Sequence, residues 1–152
     1  MKNVVRAGIL LAVSLVLALG FNALRADGIK VLRPPADELV RQAGITPIGR
    51  DTVKILLQNR HVLFVDARPD NAYVRGRIPG AINFPEEDFD QRIKSFKDTV
   101  PLDRPLVTYC SGVECQASEL LSKELLKAGY KYIHWYQGGW YDWTQAKERI
   151  EK

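Results

Sequence analysis

A short apolar run that ends in a cysteine is followed by a loop and then by a strong helical pattern. Residues 106–109 have the composition of a buried strand, and Cys110 comes directly after them. Beyond the loop, Gly129 stands where a helix commonly ends. Four leucines between loop and glycine fall at helical spacing with charged residues among them: Leu120, Leu121, Leu125 and Leu126. This order predicts that Cys110 lies in the turn between a strand and the N-terminus of a helix.

That position favours the thiolate form of Cys110. Unpaired backbone N–H groups and the positive end of the helix dipole stabilise an anion at a helix N-terminus, which lowers the pKa of a thiol there. The competing interpretation is a small buried hydrophobe, the usual role of a free cysteine. Because of the strand–loop–helix context, we predict that Cys110 is a reactive nucleophile.

Short apolar segments alternate with helical ones through the rest of the chain. Strands are predicted at 62–66, 81–83, 106–109 and 132–135, and helices at 51–59, 69–74, 85–97, 116–128 and 139–147. Such alternation is typical of an α/β domain, a twisted parallel sheet of about four to five strands with helices on both faces. Ligands bind at the carboxyl ends of the strands in such sheets, where Asp66 and Cys110 both fall.

The N-terminal segment has a different character. Residues 7–24 are uncharged and mostly aliphatic, and Lys2 and Arg6 precede them. At about 1.5 Å per residue an apolar helix of this length spans roughly 27 Å, close to the hydrocarbon thickness of a bilayer. The best cleavage site for a signal peptidase places Leu24 where a small residue is preferred. We therefore predict an uncleaved apolar helix that anchors the chain, with a cleaved signal peptide as the alternative.

These features predict three regions: a signal anchor or signal peptide at 1–26, a polar linker at 27–44 and a globular domain at 45–152. Positive charges on the two sides of the apolar run are nearly balanced, so they indicate no clear orientation. The signal-like N-terminus favours export of the globular domain. The expected location is the inner (cytoplasmic) membrane, with a single pass and the domain on the exported side; the alternative is secretion after cleavage.

Charge and histidine placement exclude two other functions. The net charge is +4, but three of the 22 basic residues flank the apolar run, which leaves 19 basic against 18 acidic residues elsewhere. This balance gives no basic face for nucleic acid. His61 and His134 are far apart and lack the spacing of metal ligands, so no metal site is predicted.

Five stretches resemble motifs of rhodanese-like domains, and they occur in the order of that family. The match extends from about residue 45 to residue 146. The stretches are Ile45-Thr46-Pro47, Val65-Asp66-Ala67-Arg68 with Tyr73, Gly76-Arg77-Ile78-Pro79-Gly80-Ala81, Tyr109-Cys110 with the following loop, and Gly138-Gly139-Trp140 with Trp143. The resemblance implies a rhodanese-like fold.

The same resemblance implies sulfur transfer through a persulfide on Cys110. The family's loop wraps backbone N–H groups around the cysteine sulfur, and here it comprises Ser111, Gly112, Val113, Glu114 and Cys115. The implied partners are a small sulfur donor and a thiol acceptor, which includes a protein thiol, and no cofactor is implied.

The other motif residues are assigned supporting roles. Asp66 and Arg68 are both supporting residues, and we expect Arg68 to pair with a carboxylate and brace the edge of the loop rather than touch the substrate, because planar bidentate pairing suits a guanidinium. Trp140 and Trp143 are expected to be packing anchors, and Arg77 a surface residue.

Two residues of the loop depart from the family pattern. Many thiosulfate-using members carry a basic residue in the loop, whereas this loop has none and contains Glu114. A doubly anionic donor would be repelled, so thiosulfate is a doubtful physiological donor. The loop is also one residue shorter than that of the phosphatase-like branch and does not end in arginine.

Cys115 occupies the last position of the loop and leaves three interpretations open. It can simply pack against the helix, form a reversible disulfide with Cys110, or resolve a persulfide on Cys110. The disulfide gives an alternative function, a membrane-tethered dithiol redox module. A non-catalytic interaction domain is a further alternative, against which the intact Cys110 argues.

Overall fold

The computed structural model describes Ser14 and residues 44–152. Apart from Ser14, the predicted apolar helix at 7–24 lies outside the described residues, and so does the predicted linker except for Gly44. Within the described part, no helix combines the length and apolar character needed to cross a bilayer. The chain divides after Pro34 into two units, and every element described below belongs to the second unit.

Five strands and five α-helices make up this unit in the described range. The strands are β1 (Thr46–Ile48), β2 (Leu63–Asp66), β3 (Ile82–Asn83), β4 (Leu106–Tyr109) and β5 (Ile133–Tyr136). The helices are α1 (Arg50–Leu56), α2 (Asp70–Tyr73), α3 (Phe89–Thr99), α4 (Ala117–Lys127) and α5 (Gly139–Gln145). A short 3₁₀ helix at Glu86–Asp88 leads into α3.

All strand pairs are parallel, and the order across the sheet is β1-β5-β4-β2-β3. The register aligns the carboxyl ends of the three central strands, since Asp66 pairs with Tyr109 and Tyr109 pairs with Tyr136. The turn that carries Cys110 therefore emerges at the centre of one sheet edge. The α/β prediction with a parallel five-stranded sheet is confirmed.

Each face of the sheet is covered by two helices. On one face, Val65, Leu106 and Trp135 pack with side chains of α3 and α4, including Phe96 and Leu121. The opposite core contains side chains from both α1 and α5: Val53, Phe64, Val107, Tyr109, Tyr136 and Trp143. Alternate strand residues thus enter opposite cores, as a pleated strand requires. The prediction of helices on both faces is confirmed.

Two elements differ from the sequence prediction. The edge strand β1 was not predicted, because its three residues include Pro47 and are exposed or only partly buried, so they form no apolar run. The helix predicted at 85–97 is a 3₁₀ turn followed by α3, which extends to Thr99. Of the remaining predicted elements, β4 has the predicted bounds and the others are present with shifted ends.

Arg77 is more than the surface residue that the sequence predicted. Its backbone N–H donates to the Glu151 carbonyl oxygen at 2.8 Å, and its guanidinium forms an ion pair with the Glu151 carboxylate. The guanidinium also lies 4.7 Å from the centre of the Tyr73 ring. Glu151 accepts a hydrogen bond from the Gly80 amide as well, and this bond and the ion pair lower the pKa of its carboxyl. Sequence spacing gave no signal for this contact, since the partners are 74 residues apart.

Candidate active site around Cys110

Cys110 lies at the carboxyl end of β4, and 1% of its surface is exposed. The first turn of α5 holds the backbone of its loop. The Trp140 amide donates to the Cys110 carbonyl oxygen and the Tyr141 amide to the Ser111 carbonyl oxygen, each at 2.8 Å. These bonds use amides that a helix N-terminus leaves free, so α5 fixes the direction in which the Cys110 loop leaves the sheet.

Gly139 makes this close approach possible. Its φ is +56°, and a Cβ built on it would lie 2.3 Å from the Cys110 carbonyl oxygen. Only glycine combines that backbone conformation with the missing side chain. The Gly-Gly-Trp motif at 138–140 therefore serves to seat α5 against the cysteine loop.

The structure joins Cys110 and Cys115 in a disulfide across the loop. The two Cα atoms are 6.3 Å apart, within the range that disulfides span. The Cys115 amide donates to the Gly112 carbonyl oxygen at 2.9 Å and closes the loop into a turn. Of the three interpretations of Cys115, the disulfide is the one formed here.

The polar neighbours of the Cys110 sulfur in this disulfide form are not the N–H groups that the family resemblance implied. Sγ lies 3.1 Å from the Cys115 carbonyl oxygen and 3.9 Å from that of Gly112, and within residues 44–152 no backbone amide donates to it. The Cys115 amide is directed to Gly112 instead. An N–H nest around Cys110 would need the loop to re-form after reduction.

A hydroxyl group supplies the hydrogen-bond donor at the sulfur. Ser118 Oγ, on the first turn of α4, lies 3.2 Å from Cys110 Sγ. Trp135 Nε1–H donates to the same Oγ at 3.0 Å. An indole nitrogen can only donate, so Ser118 keeps its own hydrogen for the sulfur. In the reduced protein the Ser118 hydroxyl can therefore donate to a Cys110 thiolate, and this hydrogen bond stabilises the charged form of the sulfur.

Sequence reasoning gave Ser118 no role, although a signal was present. Ser118 and Ser122 share helical spacing with Leu121 and Leu125, so they lie on the face of α4 that packs against the sheet. There the Ser122 hydroxyl forms a hydrogen bond with the Thr108 hydroxyl, and the two oxygens are 2.6 Å apart. A serine in an apolar stripe one turn from a cysteine loop is thus a candidate partner for the thiol.

Replacing Ser118 with Ala should raise the pKa of the reduced Cys110 thiol, since a hydrogen bond to the charged form is lost. A charge-assisted bond contributes ~1.5–3 kcal/mol, which corresponds to a rise of the thiol pKa by roughly 1 to 2 units. The ultraviolet absorbance of the thiolate, titrated in a Cys115→Ser background, measures this. Ser122→Ala is the matched control and should leave the titration unchanged. Equal titrations of the Ser118 and Ser122 variants would contradict the assignment.

Asp66 and Arg68 form a buried ion pair beside the loop. Arg68 Nη2 lies 2.6 Å from Asp66 Oδ2 and Nε lies 2.9 Å from Oδ1, with exposed side-chain fractions of 4% and 0%. Arg68 also donates to the Gly76 carbonyl oxygen at 2.7 Å and stacks on the Trp140 ring at 4.5 Å. Arg68 thus pairs with a carboxylate, as the sequence led us to expect, and links β2 to the first turn of α5.

The remaining loop residues line an open cleft of about 580 Å³ over the disulfide. Its lining is mainly apolar, and Val113 and Tyr141 are 70% and 65% exposed. Glu114 is the charged residue of the lining in the described part of the chain, and no basic residue joins it. The cleft therefore offers no positive charge to an anionic sulfur donor. Its lining is Ser111, Gly112, Val113, Glu114, Cys115 and Tyr141.

The histidines do not contribute to this site. Burial lowers the pKa of His134, which favours its neutral form, and its Nδ1 has no hydrogen-bond partner among the described residues. Within the same residues, no three His, Cys, Asp or Glu side chains are grouped as metal ligands.

The family follows from a direct comparison. The family model of the rhodanese-like domain matches residues 50–146, which include both cysteines and all of α5. The chain therefore belongs to the rhodanese-like family. A crystal structure of the Alr3790 protein from Anabaena sp. is similar to it, with a TM-score of 0.59 and 25% identity, and the match covers 68% of this chain and 79% of that one.

Two curated relatives are longer proteins, and in each of them only one part is similar to this chain. An HTH-type transcriptional regulator from Mycobacterium tuberculosis is 41% identical over 85 residues, which cover 53% of this chain and 36% of that protein. A tRNA uridine(34) hydroxylase from Yersinia pestis is 28% identical over 103 residues, which cover 65% of this chain and 28% of that protein. The matches span about a third of these relatives or less.

Proposed function

We propose that this chain is a sulfurtransferase that carries sulfane sulfur as a persulfide on Cys110 and delivers it to a thiol. The observation that supports this most is the contact between the Cys110 sulfur and the Ser118 hydroxyl, at the carboxyl end of the central strand. A buried donor aimed at a cysteine sulfur serves a thiolate, which is the form that attacks sulfur.

The proposed reaction has two steps. The Cys110 thiolate attacks the outer sulfur of a donor, and the rest of the donor leaves with the electron pair of the broken bond. An acceptor thiolate then attacks the outer sulfur of the persulfide, and Cys110 leaves as a thiolate. The hydrogen bond from Ser118 stabilises that leaving group, and the amides of α5 hold the loop during both steps.

The lining of the cleft favours an acceptor with apolar character, and it disfavours a donor that carries two negative charges. Val113 and Tyr141 are largely exposed at its mouth, and Glu114 is its only charged lining residue within the described chain. We propose a small or protein-borne thiol as the acceptor and a persulfide, rather than thiosulfate, as the donor.

We further propose that residues 7–24 anchor the domain in the inner membrane on the exported side. Release of the full-length protein by alkaline carbonate, which strips peripheral proteins, would contradict that anchor.

Replacing Cys110 with Ser should abolish sulfur transfer from a small persulfide to cyanide in the reduced full-length protein. A serine hydroxyl neither forms a persulfide nor ionises at neutral pH. Thiocyanate formation measures the transfer, and Cys115→Ser is the companion variant that removes a thiol from the same loop. Transfer that survives in the Cys110 variant would exclude the sulfurtransferase proposal.

The disulfide supports a second candidate, a dithiol module that exchanges with thiols of other proteins. It uses the same two cysteines but needs no sulfane sulfur. Under this function, reduced protein would convert a disulfide substrate to dithiol and accumulate as the Cys110–Cys115 disulfide. It would show no +32 Da adduct on Cys110 after exposure to a persulfide donor.

The loop charge determines the expected response to thiosulfate. Changing Cys115 to Arg and Glu114 to Gln removes a repulsive carboxylate and adds a guanidinium that can bind an oxyanion bidentately. A gain of ~1–3 kcal/mol should lower the Michaelis constant for thiosulfate by roughly 5- to 150-fold, and the exposure of Glu114 favours the low end. The control is Cys115→Leu with Glu114→Gln, which lacks the guanidinium. A wild-type constant as low as that of the Arg variant would contradict the electrostatic explanation.

A further inference from the structure

We propose that Cys115 is a resolving cysteine, which releases the sulfur held on Cys110 as hydrosulfide and leaves the Cys110–Cys115 disulfide. This inference rests on the proposed persulfide chemistry and adds an activity to it. With Cys115 the loop can discharge its sulfur without an acceptor thiol in the cleft. The product of that path is hydrosulfide instead of a persulfidated acceptor.

The geometry supports attack at the inner sulfur of the persulfide. The disulfide shows that Cys115 Sγ reaches Cys110 Sγ itself, which becomes the inner sulfur when Cys110 carries a second one. The turn closed by the Cys115 amide and the Gly112 carbonyl oxygen keeps the two thiols on one short loop. An intramolecular thiol held in this way competes well with an acceptor that must diffuse in.

The resolving step balances without an added oxidant. The Cys115 thiolate attacks Cys110 Sγ, the new Sγ–Sγ bond forms, and the bond from Cys110 Sγ to the outer sulfur breaks. The outer sulfur leaves as hydrosulfide with the electron pair of that bond and the proton that Cys115 gave up. The two cysteines are oxidised to the disulfide while the sulfane sulfur is reduced to the level of sulfide.

Each turnover then requires an external dithiol, the reductant class that this proposal names. The two sulfurs differ in access: Cys110 is 1% exposed, whereas Cys115 is only partly buried and lines the cleft. A dithiol therefore attacks Cys115 and expels the Cys110 thiolate, which accepts the hydrogen bond of Ser118. Its second thiol then displaces Cys115, which leaves the protein reduced and the external dithiol as a disulfide.

The test follows one round of the reaction in the reduced full-length protein. The protein is loaded with glutathione persulfide, freed of small molecules by rapid desalting, and incubated without any acceptor. Hydrosulfide is measured, and intact mass is recorded over time for wild type, Cys115→Ser and Cys110→Ser. Wild type should release about one hydrosulfide per loaded chain while its mass changes from +32 Da to −2 Da relative to the reduced protein.

The two variants separate this inference from the proposed function. Cys115→Ser should keep the +32 Da adduct and release no hydrosulfide, whereas Cys110→Ser should take up no sulfur. A wild type that keeps its adduct as long as Cys115→Ser would overturn the resolving role and leave sulfur transfer standing. Failure of both wild type and Cys115→Ser to take up sulfur would overturn both proposals. Because wild type alone gives the decisive mass change, a misfolded variant does not block the test.

Discussion

Replacing Arg68 with Ala should lower the free energy of unfolding by ~3–5 kcal/mol, because it leaves the Asp66 carboxylate buried without its counter-charge. Asp66 is fully buried and receives hydrogen bonds from the Arg68 side chain at both oxygens. The substitution also removes the bond to the Gly76 carbonyl oxygen and the stack on Trp140. Since small domains have net stabilities of about 5–15 kcal/mol, the loss is a large share of the total. Urea unfolding of the full-length chain, followed by circular dichroism, measures it.

Arg92 provides the matched control for this prediction. It is also paired with acidic residues, Asp88 at 2.8 Å and Asp70 at 3.3 Å, but its side chain is 37% exposed. Arg92→Ala should cost less than about 1 kcal/mol. Adding Asp66→Asn to the Arg68 variant should recover part of the loss, because it removes the unpaired charge. Similar losses for Arg68→Ala and Arg92→Ala would show that burial of the pair does not determine its contribution.

Replacing Gly139 with Ala should both destabilise the domain and impair Cys110. The left-handed conformation costs an L-residue roughly 1–2 kcal/mol, and forcing a Cβ against the Cys110 carbonyl oxygen adds about 1–3 kcal/mol. The added methyl must push α5 away from the cysteine loop, since the clashing atoms are backbone. Sulfur transfer to cyanide should therefore fall by more than the loss of folded protein explains.

Gly80 isolates the steric part of that effect. Its φ is +74°, close to that of Gly139, but a Cβ on it would meet nothing within 4 Å. Gly80→Ala should thus cost the backbone strain alone and leave sulfur transfer by the folded fraction intact. If both variants unfold at the same urea concentration and transfer sulfur equally well, the contact between α5 and the loop is not what requires glycine at 139.

The layered fold was predictable because its central strands are apolar runs separated by periodic helices. Residues 106–109 were placed without error, since a strand buried on both faces leaves a continuous apolar signal. The position of Cys110 followed from that strand and from the helix after it. The local sequence pattern was sufficient to predict a strand or helix wherever the residues of that element alone carry its signal.

What the sequence did not predict depends on contacts between distant segments. Ser118 acquires its role only when α4 packs on the sheet and brings its hydroxyl to Cys110 and Trp135. Arg77 meets Glu151 only in the folded domain. Whether Cys115 packs against the helix, forms a disulfide with Cys110 or resolves a persulfide depends on how the loop turns. The spacing of the two cysteines in the sequence could not distinguish these three interpretations.

The short strands at the two sides of the sheet bear on how the domain avoids aggregation. β1 has three residues and contains Pro47, which has no amide hydrogen to donate, and β3 has two residues. Strands this short present few backbone groups to a second chain, and proline on an edge further limits pairing. The three central strands have four residues each and a mainly apolar composition, and these two edge strands lie between them and any second chain.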